Sequence, residues 1–113
     1  MDLEHRGLRP LANALFNRMV ELTGDIDGLA LLPLFLSTRA AVRAKVEASA
    51  GKERSARDYF DHALRAIDPP GPKLVAVGGL SGSGKTTAAR ALAPDIGPAP
   101  GAVVLRSDVL RKE

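Results

Sequence analysis

Apolar residues in the first 67 positions recur with a helical period. From Pro10 to Thr23, Leu11, Leu15, Met19 and Leu22 follow at spacings of four, four and three, which puts them on one helix face, and Gly24 supplies a stop. A second helical pattern runs from about Pro33, suited to a first turn, through Phe35, Val42 and Val46 to Gly51. Arg39, Arg43 and Glu47, spaced by four, form a polar stripe along it. A third extends from Ser55 to Ile67, with Phe60, Leu64 and Ile67 on one side and Asp61 and Arg65 on the other. The spacing predicts helices near 10–23, 33–50 and 55–67.

The pattern then changes. Asp68-Pro-Pro-Gly-Pro72 can neither continue a helix nor pair in a sheet, so residues 68–72 read as a linker. Beyond it, residues 73–78 (KLVAVG) are a short continuous apolar run of the kind expected of a buried parallel strand. Thr86 to Ala93 suits an alanine-rich helix stopped by Pro94, Ala102 to Arg106 suits a second buried strand, and a helix is expected to begin at Asp108. Strand, helix, strand predicts a βαβ unit with two adjacent parallel strands joined by a right-handed crossover. The expected fold class is therefore α/β: a helical segment over 1–67, a Pro/Gly linker over 68–72, and a partial parallel-sheet unit over 73–113.

The turn after the first expected strand carries the most specific chemistry. Residues 79–86, GLSGSGKT, match G-x-x-x-x-G-K-[ST] at every fixed position, the pattern of a Walker A phosphate loop. Glycines at Gly79, Gly82 and Gly84 let backbone N–H groups turn inward as an anion nest, with the positive end of the following helix aimed at the same place. Ser81, Ser83 and Thr87 add hydroxyls to this nucleotide-binding set. Lys85 is placed to reach the outer phosphates as a catalytic charge, and the Thr86 hydroxyl to ligate Mg²⁺. The implied cofactors are ATP and Mg²⁺.

Composition excludes several other functions. With 45% apolar and 26% charged residues the chain has the make-up of a soluble globular protein, and it holds no cysteine for disulfides or thiolate metal sites. The N-terminus lacks the apolar segment of a signal peptide, and the most apolar stretch, Leu29 to Leu36, is too short to span a bilayer, so neither membrane nor export is expected and the location reads as cytoplasmic. The net charge is only +3, basic residues alternate with acids, and no aromatic residue sits in a basic cluster, so no nucleic-acid partner is expected. His5 and His62 have no companions at metal-binding spacing, and the Arg39/Arg43 stripe reads as solvated.

Residues 73–113, with GLSGSGKTTAARALAP followed by GAVVLRSDVLRK, resemble the opening part of P-loop kinases of the gluconate kinase and polynucleotide kinase type. They closely resemble one predicted-kinase family among these, in which the unit often follows a domain resembling aminoglycoside phosphotransferases. DLEHRGLRPLANALFNRMVELTGD and GLALLPLFLSTRAAVRAKV look like the last helices of that partner domain. The resemblance implies transfer of the γ-phosphoryl group of ATP to a small-molecule hydroxyl, with Asp108 handling the acceptor and Arg111, one turn later, steadying the transferring group. It also implies that Asp2 and Glu4 carry no catalytic role. The expected later strands, second acid and basic lid do not follow within these residues. The chain accordingly reads as a fragment of a bifunctional protein, with open sheet edges through which it would associate. The alternative is a non-catalytic nucleotide-binding or interaction module.

Overall fold

The computed structural model describes residues 1–107. Among the described residues the α-helices in order are α1 (Asp2–His5), α2 (Arg9–Thr23), α3 (Leu32–Ser49), α4 (Glu53–Ile67) and α5 (Lys85–Leu92). Short 3₁₀ turns at Asp27–Leu31 and Ala93–Asp95 precede α3 and follow α5. The last four helices lie within two residues of the expected bounds. Pro10 and Pro33 both fall in first turns, where the missing N–H costs nothing, so Pro33 starts α3 instead of kinking it. Gly24 ends α2 in the left-handed conformation with φ 66° and donates its N–H to the Val20 carbonyl at 2.9 Å.

Helices α3 and α4 form a hairpin turned through Ala50, Gly51 and Lys52, where the Lys52 N–H closes on the Glu47 carbonyl at 3.0 Å. Their shared face is built from small side chains: Ala40 and Ala44 on α3 meet Ala56, Tyr59 and Ala63 on α4, and Ala40 is 0% exposed. Alanine lets two helix backbones approach closely, and Tyr59 is buried on the same face. The His5 ring stacks on Tyr59 with centroids 3.9 Å apart, and Arg43 lies 5.4 Å from the Tyr59 centroid, so α1 is tied to the hairpin by an aromatic and cationic cluster. Along α3 the expected Arg43–Glu47 pair forms at 3.4 Å.

The larger apolar side chains behave differently from their neighbours. Leu11, Leu15, Met19 and Leu22 on α2, Phe35, Val42 and Val46 on α3, and Phe60, Leu64 and Ile67 on α4 are all exposed. What α2 buries instead is Ala12, Asn13, Phe16, Asn17 and Val20. The radius of gyration of 16.2 Å exceeds the about 13 Å of a compact chain of this length. The molecule is elongated, and its buried surface is narrow.

The expected parallel sheet is not formed. Among the described residues there is no β-strand, so the βαβ unit and its crossover must be withdrawn, and with them the open sheet edges proposed for association. Residues 73–78 are exposed throughout, Leu74 to 96%, and 102–106 carry no strand pairing either. Both segments line one cleft of about 540 Å³. Apolar sequence made each segment able to enter a sheet, but a strand exists only where a second backbone reaches it. The described fold is helical.

Two outcomes follow for the hairpin. Ala40→Leu should destabilise the chain by about 1–3 kcal/mol through overpacking, measured by urea denaturation, whereas Leu64→Ser on the exposed side should change little. Burial holds the His62 imidazole below its ordinary value of 6.5. Its neutral form therefore supports folding fully above pH 6.5, and that support is lost as pH falls from there through the lowered folded value, because the unfolded chain takes the proton first. Urea midpoints compared at pH 7.5 and pH 5 should fall, and His62→Gln should reduce the fall.

Candidate phosphate-binding loop and cleft

The residues after the linker run exposed to a glycine-rich turn, and the turn opens α5. The Ser83 N–H donates to the Leu80 carbonyl at 3.2 Å, which closes the loop, and Gly84 takes the left-handed conformation with φ 83° as the N-cap of α5. No side chain caps this helix, and the first bonded turn begins with the Ala88 N–H on the Gly84 carbonyl at 3.0 Å. The N–H groups of Lys85, Thr86 and Thr87 thus have no intrahelical acceptor and face the end of the helix that attracts anions.

Lys85 is the first residue of α5, and its side chain folds back over the loop. Its ammonium donates to the carbonyls of Gly79 at 2.8 Å and Leu80 at 2.5 Å. The cation therefore sits over the concavity that the glycines enclose. Gly79 permits this arrangement: a Cβ there would lie 2.8 Å from the Ser83 Oγ and 3.5 Å from the Lys85 Cγ. Gly84 is required for a different reason. Nothing lies within 4 Å of its would-be Cβ, so the demand comes from its backbone angle alone.

Ser81, Gly82, Lys85 and Thr86 line the 540 Å³ cleft together with Leu74, Val75 and Val77 on one side and residues 102–107 on the other. Lys85 and Thr86 are half-buried there, whereas Ser81, Ser83 and Thr87 are exposed. Thr87 is not among the cleft-lining residues, and Ser83 packs against Gly79. Asp108 and Arg111 lie outside the described residues. The preceding residue, Ser107, lines the cleft.

The far wall is held from the helical half. Asn13 Nδ2 donates to the carbonyls of Pro100 at 3.1 Å and Ala102 at 3.0 Å. Asn17 Nδ2 donates to the Ala102 carbonyl at 3.1 Å, while its Oδ1 accepts the Val104 N–H at 2.7 Å. Arg9 donates to the carbonyls of Pro94 and Gly97 at 2.5 and 2.8 Å. Arg90 on α5 pairs with Glu21 on α2 at 3.0 Å. Hydrogen bonds from Arg90 and then Arg18 hold the Glu21 carboxyl below its ordinary 4.5. These α2 residues were missed in reading the sequence, where apolar periodicity drew attention to the other face. Their signal was there: four polar residues repeating at intervals of four.

The Zeta toxin family model matches residues 58–113, from within α4 through the phosphate loop. That match supports a P-loop, kinase-like family. It also supports a general nucleotide-binding, kinase-like role for the loop just described. Over 118 aligned positions, covering 99% of this chain, the chain is 34% identical to Uncharacterized protein Rv2004c of Mycobacterium tuberculosis and to Uncharacterized protein Mb2027c of Mycobacterium bovis. The alignment takes in 23% of each relative, so the chain spans about a quarter of the length of the curated relatives it matches. No solved structure gives a significant match. No helix among the described residues is long and apolar enough to cross a membrane.

Gly84→Val should harm the loop through its backbone. A β-branched residue at φ 83° costs about 1–2 kcal/mol or forces the first turn of α5 to unwind. Urea denaturation and loss of helical circular dichroism would register it. Gly84→Ala should cost less than Val.

Proposed function

We propose that residues 79–86 bind ATP with Mg²⁺, and that the chain is the nucleotide-binding part of an ATP-dependent phosphotransferase acting on a small-molecule hydroxyl. The observation that carries this reading is the position of Lys85: it heads α5, lies across the glycine turn, and opens with Thr86 onto a cleft large enough for a nucleotide.

The residues present fit the group. A Cβ at Gly79 would fill the turn, which leaves backbone N–H groups free to approach phosphate oxygens closely. The uncapped N–H groups at the start of α5 supply donors without side chains in the way. In this reading Lys85 exchanges its bonds to the Gly79 and Leu80 carbonyls for phosphate oxygens, and the Thr86 hydroxyl holds Mg²⁺. When bound, the metal neutralises phosphate charge. The backbone of Gly82 to Thr87 orients the nucleotide, with the Ser81 and Ser83 hydroxyls as further donors. Asp108 would accept the proton of the acceptor hydroxyl, and Arg111 would face the transferring group. The helical half is read as the end of an aminoglycoside phosphotransferase-like domain.

Titration with Mg-ATP and Mg-ADP tests the reading. Lys85→Ala removes a charge-assisted contact of about 1.5–3 kcal/mol, so affinity should fall roughly ten- to a hundredfold. Thr86→Ala should weaken binding in Mg²⁺ more than in EDTA. Equal affinities for wild type and Lys85→Ala would refute nucleotide binding at this loop.

A further inference from the structure

Arg9, Asn13, Asn17 and Glu21 recur every four residues along α2 and form one polar face. Every one of them bonds to the half of the chain that carries the phosphate loop. Asn13 and Asn17 are buried, at 3% and 9% exposed, so these are interior contacts.

The Asn17 carboxamide does what a neighbouring strand would do. A paired strand satisfies the C=O and N–H of alternate residues along one edge of its partner. Asn17 gives an N–H to the Ala102 carbonyl and takes the N–H of Val104, two residues on, from a single planar amide. Asn13 adds a second donor to the Ala102 carbonyl and supports Asn17, whose Nδ2 also donates to the Asn13 Oδ1 at 3.1 Å. Gly101 allows the approach. A Cβ there would lie 2.5 Å from the Ala93 carbonyl oxygen and 2.8 Å from the Asn13 Nδ2.

We propose that the polar face of α2 acts as a surrogate strand, fixing residues 102–104 opposite α5 so that Asn13, Asn17 and Glu21 are positioning residues for the nucleotide cleft. The inference rests on the nucleotide reading of the loop. One wall of the cleft is held by the two asparagines, and α5 is held by Arg90 on Glu21. Helix α2 is therefore the common support of both walls, and its polar face sets their separation. A helix outside the glycine-loop unit thereby becomes part of the site.

The test combines amide hydrogen exchange at Val104 with Mg-ADP titration of the full chain. Asn17→Leu removes donor and acceptor at similar volume, and Asn17→Asp keeps an acceptor but loses every donated bond. Asn17→Leu should speed Val104 exchange by about tenfold or more, and Asn17→Asp by less because it keeps the acceptor of that N–H, while both leave amides of the α3–α4 hairpin unchanged. Both should weaken Mg-ADP binding about three- to tenfold. Gly101→Ala disturbs the same contact without altering α2 and should act alike, which covers the case in which an Asn17 variant fails to fold. Leu15→Ser, on the exposed face, should move neither readout. Exchanging the charges in Glu21→Arg with Arg90→Glu should restore the affinity that either change alone removes. Unchanged Val104 exchange in Asn17→Leu would overturn the surrogate strand, and faster exchange with unchanged ADP affinity would overturn its positioning role. Absence of ADP binding to the wild-type chain would instead sink the nucleotide reading, and the positioning role with it.

Discussion

The bond between one buried carboxamide and one short segment of backbone organises the second half of this chain. Residues 102–104 have polar main-chain groups that must be satisfied once they leave water. No strand among the described residues does so; Asn17, with Asn13 behind it, takes the Ala102 carbonyl and the Val104 N–H. If these amides were apolar, the segment would need another partner or would stay solvated, and the cleft beside α5 would lose a wall. A buried polar pair is costly unless every group is met, and here the shared bonds between Asn13 and Asn17 complete the set.

The helical half follows a matching logic. Helices pack where their backbones can approach, and α3 and α4 approach through alanines, with Tyr59 collecting His5 and Arg43 around its ring. Large apolar residues one step around each helix remain exposed. Three separate stripes of this kind make the helical half unusually apolar for a solvated surface. Helices α3 and α4 commit mainly alanines to their shared face, and α2 buries two asparagines beside Phe16 and Val20, so the buried faces stay narrow.

At the phosphate loop, chemistry and local conformation coincide. The same glycines that would weaken a helix or strand let the turn close under Lys85, and the same helix that carries Lys85 supplies unbonded N–H groups beside it. Similarity to a kinase-like family over residues 58–113 agrees with this arrangement. The site gains its depth from the other side of the cleft, where α2 holds the facing segment.

Local rules in the sequence sufficed for the helices and the loop. Pro10, Pro33, Gly24 and Gly84 set starts and stops through their own backbone limits, and GLSGSGKT fixed the glycine turn and the place of its lysine without help from distant residues. Apolar periodicity, by contrast, named the wrong faces. It measures how greasy a stripe is, whereas burial between α3 and α4 depended on which stripe was small enough, as at Ala40 and Ala44, for the two backbones to approach. The sheet failed for a related reason: residues 73–78 and 102–106 have the composition of strands, but pairing is a property of two backbones at a fixed distance. Only the tertiary structure decided that a cleft would separate them, and that the partner of Val104 would be a side chain 87 residues earlier on α2. The four-residue repeat of Arg9, Asn13, Asn17 and Glu21 marks a polar face, but it does not name the partner of Asn17, because a hydrogen bond across such a separation is chosen by the geometry of the folded chain.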